Sequence, residues 1–333
     1  MINLKKIITF IIGFMLICTA CSTEANNSNM PLNKDIMLEK TNDSVIYYKT
    51  ADDIKLCIKN MANNKEQIVF SQPFGTLQSF SVIEDQLYFL VENTLYEQKL
   101  NNLSEKPNII ATYLSEDNIN LKPGNNNLSL SIFKYNNNLY ILGSALYVVK
   151  NNQICELVED VTTACIEENK VYYGDSKGNI FVVENGDFST AKKVLTKEIF
   201  GDDKYISLLG GSYAVTNLQL SDNKLYFIAS MGFTMPGEIY AYNLANGKLN
   251  LESNVKNSTV KAFVKYNGQL YCHGSYKDNQ NALFKINNKS ESSIIVPYIS
   301  GFTIIDSDIY YYNNDSKHYE KINVKNNDKT QLF

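Results

Sequence analysis

The 333-residue sequence predicts an all-β domain built from repeated short antiparallel sheets. Three observations predict it. Short apolar stretches recur along the chain, residues that tolerate tight turns separate them, and an aliphatic residue followed by tyrosine opens the second stretch of each unit. Helix-length apolar patterns of period 3.6 are missing from the sequence. The chain therefore repeats one strand-based unit and does not alternate strands with helices.

Seven aliphatic-tyrosine pairs mark the repeat. A turn of Asn, Asp, Glu, Ser or Gly precedes each pair, and these residue types tolerate the positive φ angles of a tight hairpin. Two further apolar stretches follow each pair, so one unit consists of four strands in a meander. The pairs are Ile46-Tyr47, Leu87-Tyr88, Leu139-Tyr140, Val171-Tyr172, Leu225-Tyr226, Leu270-Tyr271 and Ile309-Tyr310.

The spacing of the units predicts how they are arranged. Successive units start about 30 to 55 residues apart, about 44 on average, which is the length of a propeller blade. In Leu225–Ile228 the odd and the even side chains are all apolar, which suits a sheet buried on both faces. A ring of sheets covers such faces and leaves only short edges. The sequence thus predicts a single β-propeller over residues 35–333, with seven blades of four antiparallel strands; a two-sheet sandwich is the alternative.

Residues 1–20 have the pattern of a signal peptide. Lys5 and Lys6 precede the apolar run Ile7–Ile17. This run is shorter than the roughly 20 residues that a membrane-spanning helix needs, and small residues follow it. The sequence therefore predicts export, with cleavage after Ala20.

The residues before Cys21 resemble the lipobox of bacterial lipoproteins, in which the cysteine sulfur is diacylated and the cysteine becomes the new N-terminus. Cys18 stands where that motif has an aliphatic residue. Plain secretion with a free Cys21 is the alternative. The resemblance implies that residues 21–34 are a lipidated Cys21 and a polar, flexible tether, and that the protein is extracytoplasmic and anchored to the cell membrane by lipid.

The charge of the chain argues against nucleic acid as a partner. The net charge is −4, and cleavage after Ala20 removes Lys5 and Lys6 without removing an acidic residue. All 31 basic residues are lysine, so the planar guanidinium that grips phosphate best is missing from the sequence.

The cysteines beyond the N-terminal region lack the spacing of a disulfide framework or of a metal site. Cys57, Cys155, Cys165 and Cys272 each fall within or beside an apolar stretch. This position predicts buried thiols that act as small hydrophobic side chains. A bridge between Cys155 and Cys165 is the one pairing to test.

The sequence shows no assembled catalytic group. The histidines, His273 and His318, fall in neighbouring units, where polar strand positions explain them better than a metal site does. The sequence has no Gly-x-Ser-x-Gly elbow. The acidic pairs Asp202-Asp203 and Glu167-Glu168 have the residue type of glycosidase carboxylates, but both lie beside turns, where acidic residues are solvated. The sequence therefore predicts no catalytic residue, no metal and no cofactor.

Two insertions exceed what a four-stranded unit needs. Residues 231–237 place apolar side chains where solvent favours polar ones, which is typical of a binding surface or of a loop that covers a neighbouring blade. Residues 200–213 join two units and contain a Gly-Gly-Ser stretch; a plain linker is the alternative here. The predicted ligand-binding residues are Met231, Phe233, Met235, Tyr213, Asp202 and Asp203.

Two segments, Asn223–Phe227 and Gly237–Gly247, resemble the YWTD-type propeller repeat, although the tryptophan and most aspartates of that signature are missing. Bacterial surface lipoproteins of unknown function carry similar repeats. The resemblance covers all seven units and implies the propeller fold and the surface location. It transfers no site residue.

Together these observations predict a non-catalytic extracytoplasmic propeller that binds or scaffolds. One end of the ring faces an unknown protein, peptide or glycan of the cell envelope. A further, structural interpretation is an assembly factor in an envelope complex. The alternative is a polysaccharide-acting enzyme, a lyase or a hydrolase, that uses the propeller channel.

Overall fold

A computed structural model describes residues 38–41, 43–50, 54–72, 76–113, 130–196, 199, 213–231, 237–253, 258–288 and 291–332. The predicted signal peptide (1–20) and tether (21–34), with Cys21, lie outside these residues. Within the described residues, no helix is long and apolar enough to cross a membrane.

The described residues form 28 β-strands and a 3-10 helical turn at Phe188–Thr190. In chain order the strands are β1 (Leu38–Lys40), β2 (Ser44–Thr50), β3 (Ile54–Asn60), β4 (Glu66–Gln72), β5 (Leu77–Ile83), β6 (Gln86–Val91), β7 (Thr94–Lys99), β8 (Asn108–Tyr113), β9 (Ser131–Tyr135), β10 (Asn138–Leu142), β11 (Leu146–Lys150), β12 (Gln153–Val158), β13 (Val161–Glu167), β14 (Lys170–Asp175), β15 (Ile180–Glu184), β16 (Lys192–Leu195), β17 (Tyr213–Ser221), β18 (Lys224–Met231), β19 (Glu238–Asn243), β20 (Leu249–Leu251), β21 (Ser258–Tyr266), β22 (Gln269–Tyr276), β23 (Asn279–Asn288), β24 (Glu291–Val296), β25 (Ile299–Ile305), β26 (Asp308–Asn313), β27 (His318–Asn323) and β28 (Lys329–Gln331).

Consecutive strands pair antiparallel in sets of four, which we call units. Five units form separate sheets, and the units β5–β8 and β9–β12 join in one eight-stranded sheet of order β5-β6-β7-β8-β12-β11-β10-β9. The joint is a parallel contact of two residue pairs, Thr112 with Gln153 and Tyr113 with Ile154. The four-stranded meander predicted from the sequence is therefore the building element of the fold.

Each predicted aliphatic-tyrosine pair lies in the second strand of a unit, after a short turn. In the β9–β10 hairpin the turn residues Asn136 and Asn137 have φ angles of 46° and 63°. In the β17–β18 hairpin Asp222 and Asn223 have φ angles of 51° and 57°. Positive φ at both central residues is the geometry of a type I′ turn, whose twist matches that of the paired strands. The hairpin prediction is confirmed at these positions.

Apolar side chains fill the space between consecutive units. Leu225 and Phe227 pack against the β13–β16 unit, whereas Tyr226 and Ile228 pack against the β21–β24 unit. All four side chains are at most 2% exposed. Because successive residues of a strand point to opposite faces, this sheet is buried on both sides, as the sequence predicts.

The first and the last unit pack against each other. Lys40 of β1 forms an ion pair with Asp306 beside β26, and Lys59 Nζ donates a hydrogen bond to the Leu332 carbonyl at 3.1 Å. Each of these two units consists of consecutive strands, so among the described residues no strand is exchanged between them. The buried cluster between them consists of Leu38, Val45, Tyr310 and Leu332.

A β-bulge recurs at the same place in the fourth strand of five described units. Each bulge adds one aliphatic residue, which is half-buried and packs on the cluster between two units. Bulges bend a strand and disrupt its ladder, so these outer strands are poor templates for pairing with another chain. The extra residues are Val69, Ile110, Leu157, Val194 and Ile295.

The prediction of buried thiols is confirmed for Cys57, Cys165 and Cys272 and wrong for Cys155. Cys155 lies on the outer strand β12, which has cover on one face only; its neighbour Ile154 takes the covered face, and Cys155 is exposed. Cys165 is fully buried between two units, and burial raises the pKa of its thiol. Both cysteines are free thiols, so the bridge considered from the sequence does not form.

One turn motif recurs between the third and fourth strands of three units. It reads Asn-x-x-Asn followed by a residue of positive φ, at residues 60–65, 243–248 and 323–328. In each copy the first Asn Oδ1 accepts a backbone N–H two residues on, at 2.9 to 3.0 Å, and the second Asn does the same at 3.0 to 3.1 Å. Asparagine side chains thus replace backbone partners that the turn lacks.

Gly247 occupies the left-handed position of this motif, with φ of 67°, where the other two copies have Asn64 and Asn327. Gly247→Asn is expected to change the free energy of unfolding by less than about 0.5 kcal/mol, and Gly247→Val to lower it by about 1–2 kcal/mol, because β-branched residues are disfavoured at positive φ. Urea unfolding of the two variants checks this. Equal losses in both would contradict the assignment.

A buried carboxylate organises the last unit. Glu320, 5% exposed, accepts hydrogen bonds from Tyr311 Oη at 2.6 Å and Ser316 Oγ at 3.0 Å. It also accepts a bond from Asn313 Nδ2 at 3.2 Å and pairs with Lys329 Nζ at 2.7 Å. Burial alone would raise the pKa of Glu320, but these bonds outweigh it and lower the pKa to about 2. The ionised form is therefore the one that the fold stabilises.

Acid is expected to remove the contribution of Glu320 to the free energy of unfolding. The folded-state pKa of about 2 lies below the unperturbed 4.5, so the contribution is complete above about pH 5 and declines as the pH falls toward 2. Between pH 7 and pH 3 the loss is about 2 kcal/mol. Urea unfolding at both pH values should show a smaller pH difference for Glu320→Gln than for the wild type. Glu105→Gln, at an exposed carboxylate, is the control, and an unchanged pH difference in Glu320→Gln would refute this role.

Candidate functional site

The connections at the two ends of the sheets differ in length. At one end, the short-turn end, connections of two to eight residues join the third and fourth strands of each unit, and turns of two or three residues join its first and second strands. These turns are residues 41–43, 84–85, 136–137, 168–169, 222–223, 267–268 and 306–307.

The opposite end, the long-loop end, carries the connections between units and those between second and third strands. The longest are residues 114–130 and 196–212, with 17 residues each, and residues 232–237 and 252–257 follow with six each. Tyr213, which begins β17, pairs with Met231, which ends β18. Residues 196–212 and 232–237 therefore leave the same sheet at the same end, which the sequence did not indicate.

The structure describes two of the six predicted ligand-binding residues, Tyr213 in full and Met231 by its backbone. Tyr213 is half-buried and packs on the cluster between the β13–β16 and β17–β20 units. Met231 is its cross-strand partner, and only its backbone is described. The other four, Asp202, Asp203, Phe233 and Met235, lie outside the described residues.

Hydrogen bonds connect two loops at the long-loop end of the β13–β16 unit. The Asp175 carboxylate, on a residue 8% exposed, accepts bonds from Lys177 N at 2.9 Å and from Asn179 N at 2.8 Å. Asp160, in the preceding connection, accepts a bond from Ser176 Oγ at 2.7 Å. The carboxylates thus bond backbone and hydroxyl groups of the turn and fix its shape.

Tyr298 occupies in the last unit the position that Asp160 occupies in the β13–β16 unit. Asp160 and Tyr298 both directly precede a first strand, and both have positive φ, 56° and 55°. Tyr298 is 46% exposed, and its carbonyl accepts a bond from Asn314 N at 2.8 Å. The signal in the sequence is the match between residues 158–161 and 296–299, but a Pro-Tyr pair alone does not indicate a left-handed residue.

Polar side chains connect the first strands of neighbouring units, which do not pair through their backbones. Asn217 Oδ1 accepts a bond from Phe263 N at 3.0 Å. Gln219 exchanges two bonds with the backbone of Lys265, at 2.7 and 2.9 Å. Thr163 Oγ1 likewise accepts a hydrogen bond from Leu218 N of β17, at 2.8 Å. These buried side chains satisfy backbone groups that would otherwise lack partners, and they hold the first strands of neighbouring units in fixed positions.

Lys265 is enclosed between the β17–β20 and β21–β24 units. Its Nζ lies 3.9 Å from the centroid of the Tyr226 ring and 3.8 Å from Asp222 Oδ2. Burial lowers the pKa of Lys265, and the Asp222 carboxylate opposes this shift. The ammonium is satisfied within the protein, so we interpret it as a structural cation–π contact.

A cleft of about 360 Å³ lies at the short-turn end, where the first, second and last units meet. Two of its charged residues have partners within the protein: Lys40 pairs with Asp306, and Glu84 pairs with Lys134 at 3.1 Å. The cleft therefore belongs to the contact that joins the first and last units. Its lining is Lys40, Thr41, Val82, Glu84, Asp85, Leu100, Ile305 and Asp306.

The two histidines are strand residues. His273 is 5% exposed on β22, and His318 is half-buried at the start of β27. Among the residues that the structure describes, no three His, Cys, Asp or Glu side chains come together in a group that could hold a metal ion.

Neither a family model nor a curated protein matches the sequence. Similar solved structures include the β-propeller domain of the trilobed protease from Pyrococcus furiosus, described as having an open velcro topology. It has a TM-score of 0.59 and 11% identity over 91% of this chain and 98% of that one. The N-terminal domain of Nup159 has a TM-score of 0.53 and 13% identity over 86% and 89% of the two chains.

A puromycin hydrolase is also similar, with a TM-score of 0.61 and 10% identity over 92% of this chain and 54% of that one. The present chain thus spans about half the length of that hydrolase. At these identities the likeness concerns the fold alone. The all-β units and these neighbours together show that the chain has a β-propeller fold.

Proposed function

We propose that this chain is a non-catalytic binding or scaffolding propeller that acts outside the cytoplasm, anchored by lipid, and presents its long-loop end to a partner of the cell envelope. The observation that carries the proposal is the difference between the two ends. Both 17-residue connections, residues 114–130 and 196–212, lie at the long-loop end, whereas the connections at the other end are at most eight residues long. Rigid scaffolds that bind ligands place variable loops together in this way.

The packing supports a ring of seven blades. Apolar clusters lie between consecutive units along the chain, and the Leu38–Tyr310 contact belongs to a cluster between the last unit and the first. The parallel contact between β8 and β12 covers two residue pairs only, so we interpret it as an edge contact between two blades. The 28 described strands then make seven blades of four.

The non-catalytic part of the proposal rests on the histidines. A Ser-His-Asp site would need one of the two, and His273 is buried within a strand. Some similar structures are named as peptidases and one as a nucleoporin domain, so the fold occurs in proteins of more than one kind.

The lipid anchor is proposed from Cys21 and the residues around it. Cys21→Ala is expected to move the protein from the membrane fraction to the soluble fraction and to abolish incorporation of a labelled fatty acid, because the diacylated sulfur is lost. Fractionation and metabolic labelling measure both effects. A variant that keeps label and membrane location would exclude the anchor.

Binding at the long-loop end is tested at the insertion of residues 231–237, which we call the apolar loop. Replacing Met231, Phe233 and Met235 together by Ser should lower the amount of partner that the immobilised domain retains from envelope extracts by about tenfold or more, because apolar anchors dominate binding energy. The matched control replaces exposed isoleucines on outer strands, Ile68 and Ile109, by Ser. Equal retention by both variants, or a wild type that retains nothing, would contradict the proposal.

A further inference from the structure

Asparagine is followed directly by glycine at three places in the sequence. Such a pair is chemically labile, because the backbone nitrogen of the glycine can attack the carboxamide carbon of the asparagine side chain. Glycine leaves this nitrogen accessible, since it has no Cβ to obstruct the attack. All three pairs lie in connections at the short-turn end, so their position in the sequence does not distinguish them. They are Asn185-Gly186, Asn246-Gly247 and Asn267-Gly268.

Two hydrogen bonds hold the Asn246-Gly247 pair. Asn246 Oδ1 accepts a bond from Lys248 N at 3.0 Å, which fixes the orientation of the carboxamide. Gly247 N donates to the Asn243 carbonyl at 2.9 Å, so the nitrogen that would attack is itself engaged. Both bonds must open before this nitrogen and the side-chain carbon can meet. The recurring Asn-x-x-Asn turn therefore protects this pair.

The Asn185-Gly186 pair is held by two neighbouring turns. Asn185 N donates to the Asn169 carbonyl at 2.9 Å, and Asn185 Oδ1 accepts a bond from Asn169 Nδ2 at 3.2 Å. Gly186 is crowded, since a Cβ on this residue would lie 3.3 Å from Asn136 Nδ2 and 3.4 Å from the Tyr135 ring. These neighbours restrict the backbone rotation that attack by Gly186 N requires.

The Asn267-Gly268 pair has neither restraint. Its two residues form the whole turn of the β21–β22 hairpin, and both are exposed. Among the residues that the structure describes, the Asn267 side chain forms no hydrogen bond and Gly268 N has no acceptor. A Cβ on Gly268 would have no described neighbour within 4 Å beyond the adjacent residues. Exposed hairpin tips open locally at a small cost in free energy, so this pair can reach the geometry of attack.

We propose that Asn267 is a site of spontaneous deamidation. Gly268 N loses its proton to water and forms a bond to Asn267 Cγ. The bond from Cγ to Nδ2 breaks, and the nitrogen takes a proton from water and leaves as ammonia. One water molecule then opens the resulting succinimide ring. Attack at Cγ gives aspartate, whereas attack at the backbone carbonyl carbon gives isoaspartate, in which the main chain runs through the side-chain carbons.

Aspartate fits the turn at residue 267, whereas isoaspartate does not. Asp222 and Asp306 occupy the same turn position in two other units, with φ angles of 51° and 58°. Isoaspartate adds one carbon atom to the backbone of a turn that has two residues. Tyr266 and Gln269, which pair across this turn, then lose the register that the turn length fixes.

The residues directly before the turn connect this unit to both of its neighbours. Lys265 N donates to Gln219 Oε1 of the β17–β20 unit at 2.7 Å. The Tyr266 hydroxyl lies 3.3 Å from Ser307 Oγ of the last unit. Isoaspartate at residue 267 therefore loosens the β21–β24 unit on both sides, and the loss of stability comes from the longer backbone and not from the new charge.

The deamidation rates of the three pairs test the site. The purified chain is incubated at mildly alkaline pH, and peptide mass spectrometry follows each asparagine. In the folded chain Asn267 should deamidate about fivefold faster or more than Asn246 and Asn185, because their hydrogen bonds must open first. In urea that unfolds the chain, the three rates should agree within about threefold, because these bonds are lost. A folded chain in which Asn246 or Asn185 reacts as fast as Asn267 would overturn the proposal.

Asn267→Asp is the matched variant, because it supplies the charge without the longer backbone. It should melt within about 1 °C of the unmodified chain, whereas the aged fraction that carries isoaspartate at residue 267 should melt about 2–6 °C lower. An isoaspartate fraction that melts like Asn267→Asp would refute the effect on the two contacts. Neither measurement depends on the lipid anchor or on a partner, so both outcomes are independent of the proposed function.

Discussion

Burial of both faces of every sheet is the constraint on which this fold depends. Val45 and Ile46 are neighbours on β2 and are both 0% exposed, yet Val45 packs on the last unit and Ile46 on the second. Successive residues of a strand point to opposite faces, so such a pair is buried only when sheets lie on both sides. Each buried side chain of this size contributes about 1.5–3 kcal/mol. A two-sheet sandwich would expose half of these side chains, which explains why the chain does not form one.

Closure follows from the same constraint. If every sheet needs two neighbours, the first and last units must pack against each other. The Lys40–Asp306 ion pair and the cluster around Leu38 form this contact. The outer strands then remain as edges, of which β8 and β12 pair with each other over two residue pairs. The bulged residues, Val69 among them, turn aliphatic side chains toward the clusters and distort the edge ladders, so packing between units and protection of the edges come from the same residues.

The sequence predicted what local chemistry decides. Turns such as Asp222-Asn223 were identifiable because few residue types accept positive φ, and apolar runs such as Leu225–Ile228 revealed two-sided burial. Features that depend on pairing between distant strands were missed. The bulge at Val69 and the exposure of Cys155 follow from the register of an outer strand, which no short segment determines. Two of the candidate ligand residues, Tyr213 and Met231, were located to one end only once the register of β17 and β18 was known.

The same burial explains how a strained residue persists at the rim of the ring. A left-handed tyrosine costs about 1–2 kcal/mol, and Tyr298 has few contacts of its own to offset it. The strand that follows is held firmly, since Ile299 is 0% and Phe302 1% exposed in the cluster between the last two units. Burial of either side chain contributes at least as much as the strain removes. The core therefore fixes the strand after Tyr298, and the bond from Asn314 N to the Tyr298 carbonyl holds the peptide group that joins the two.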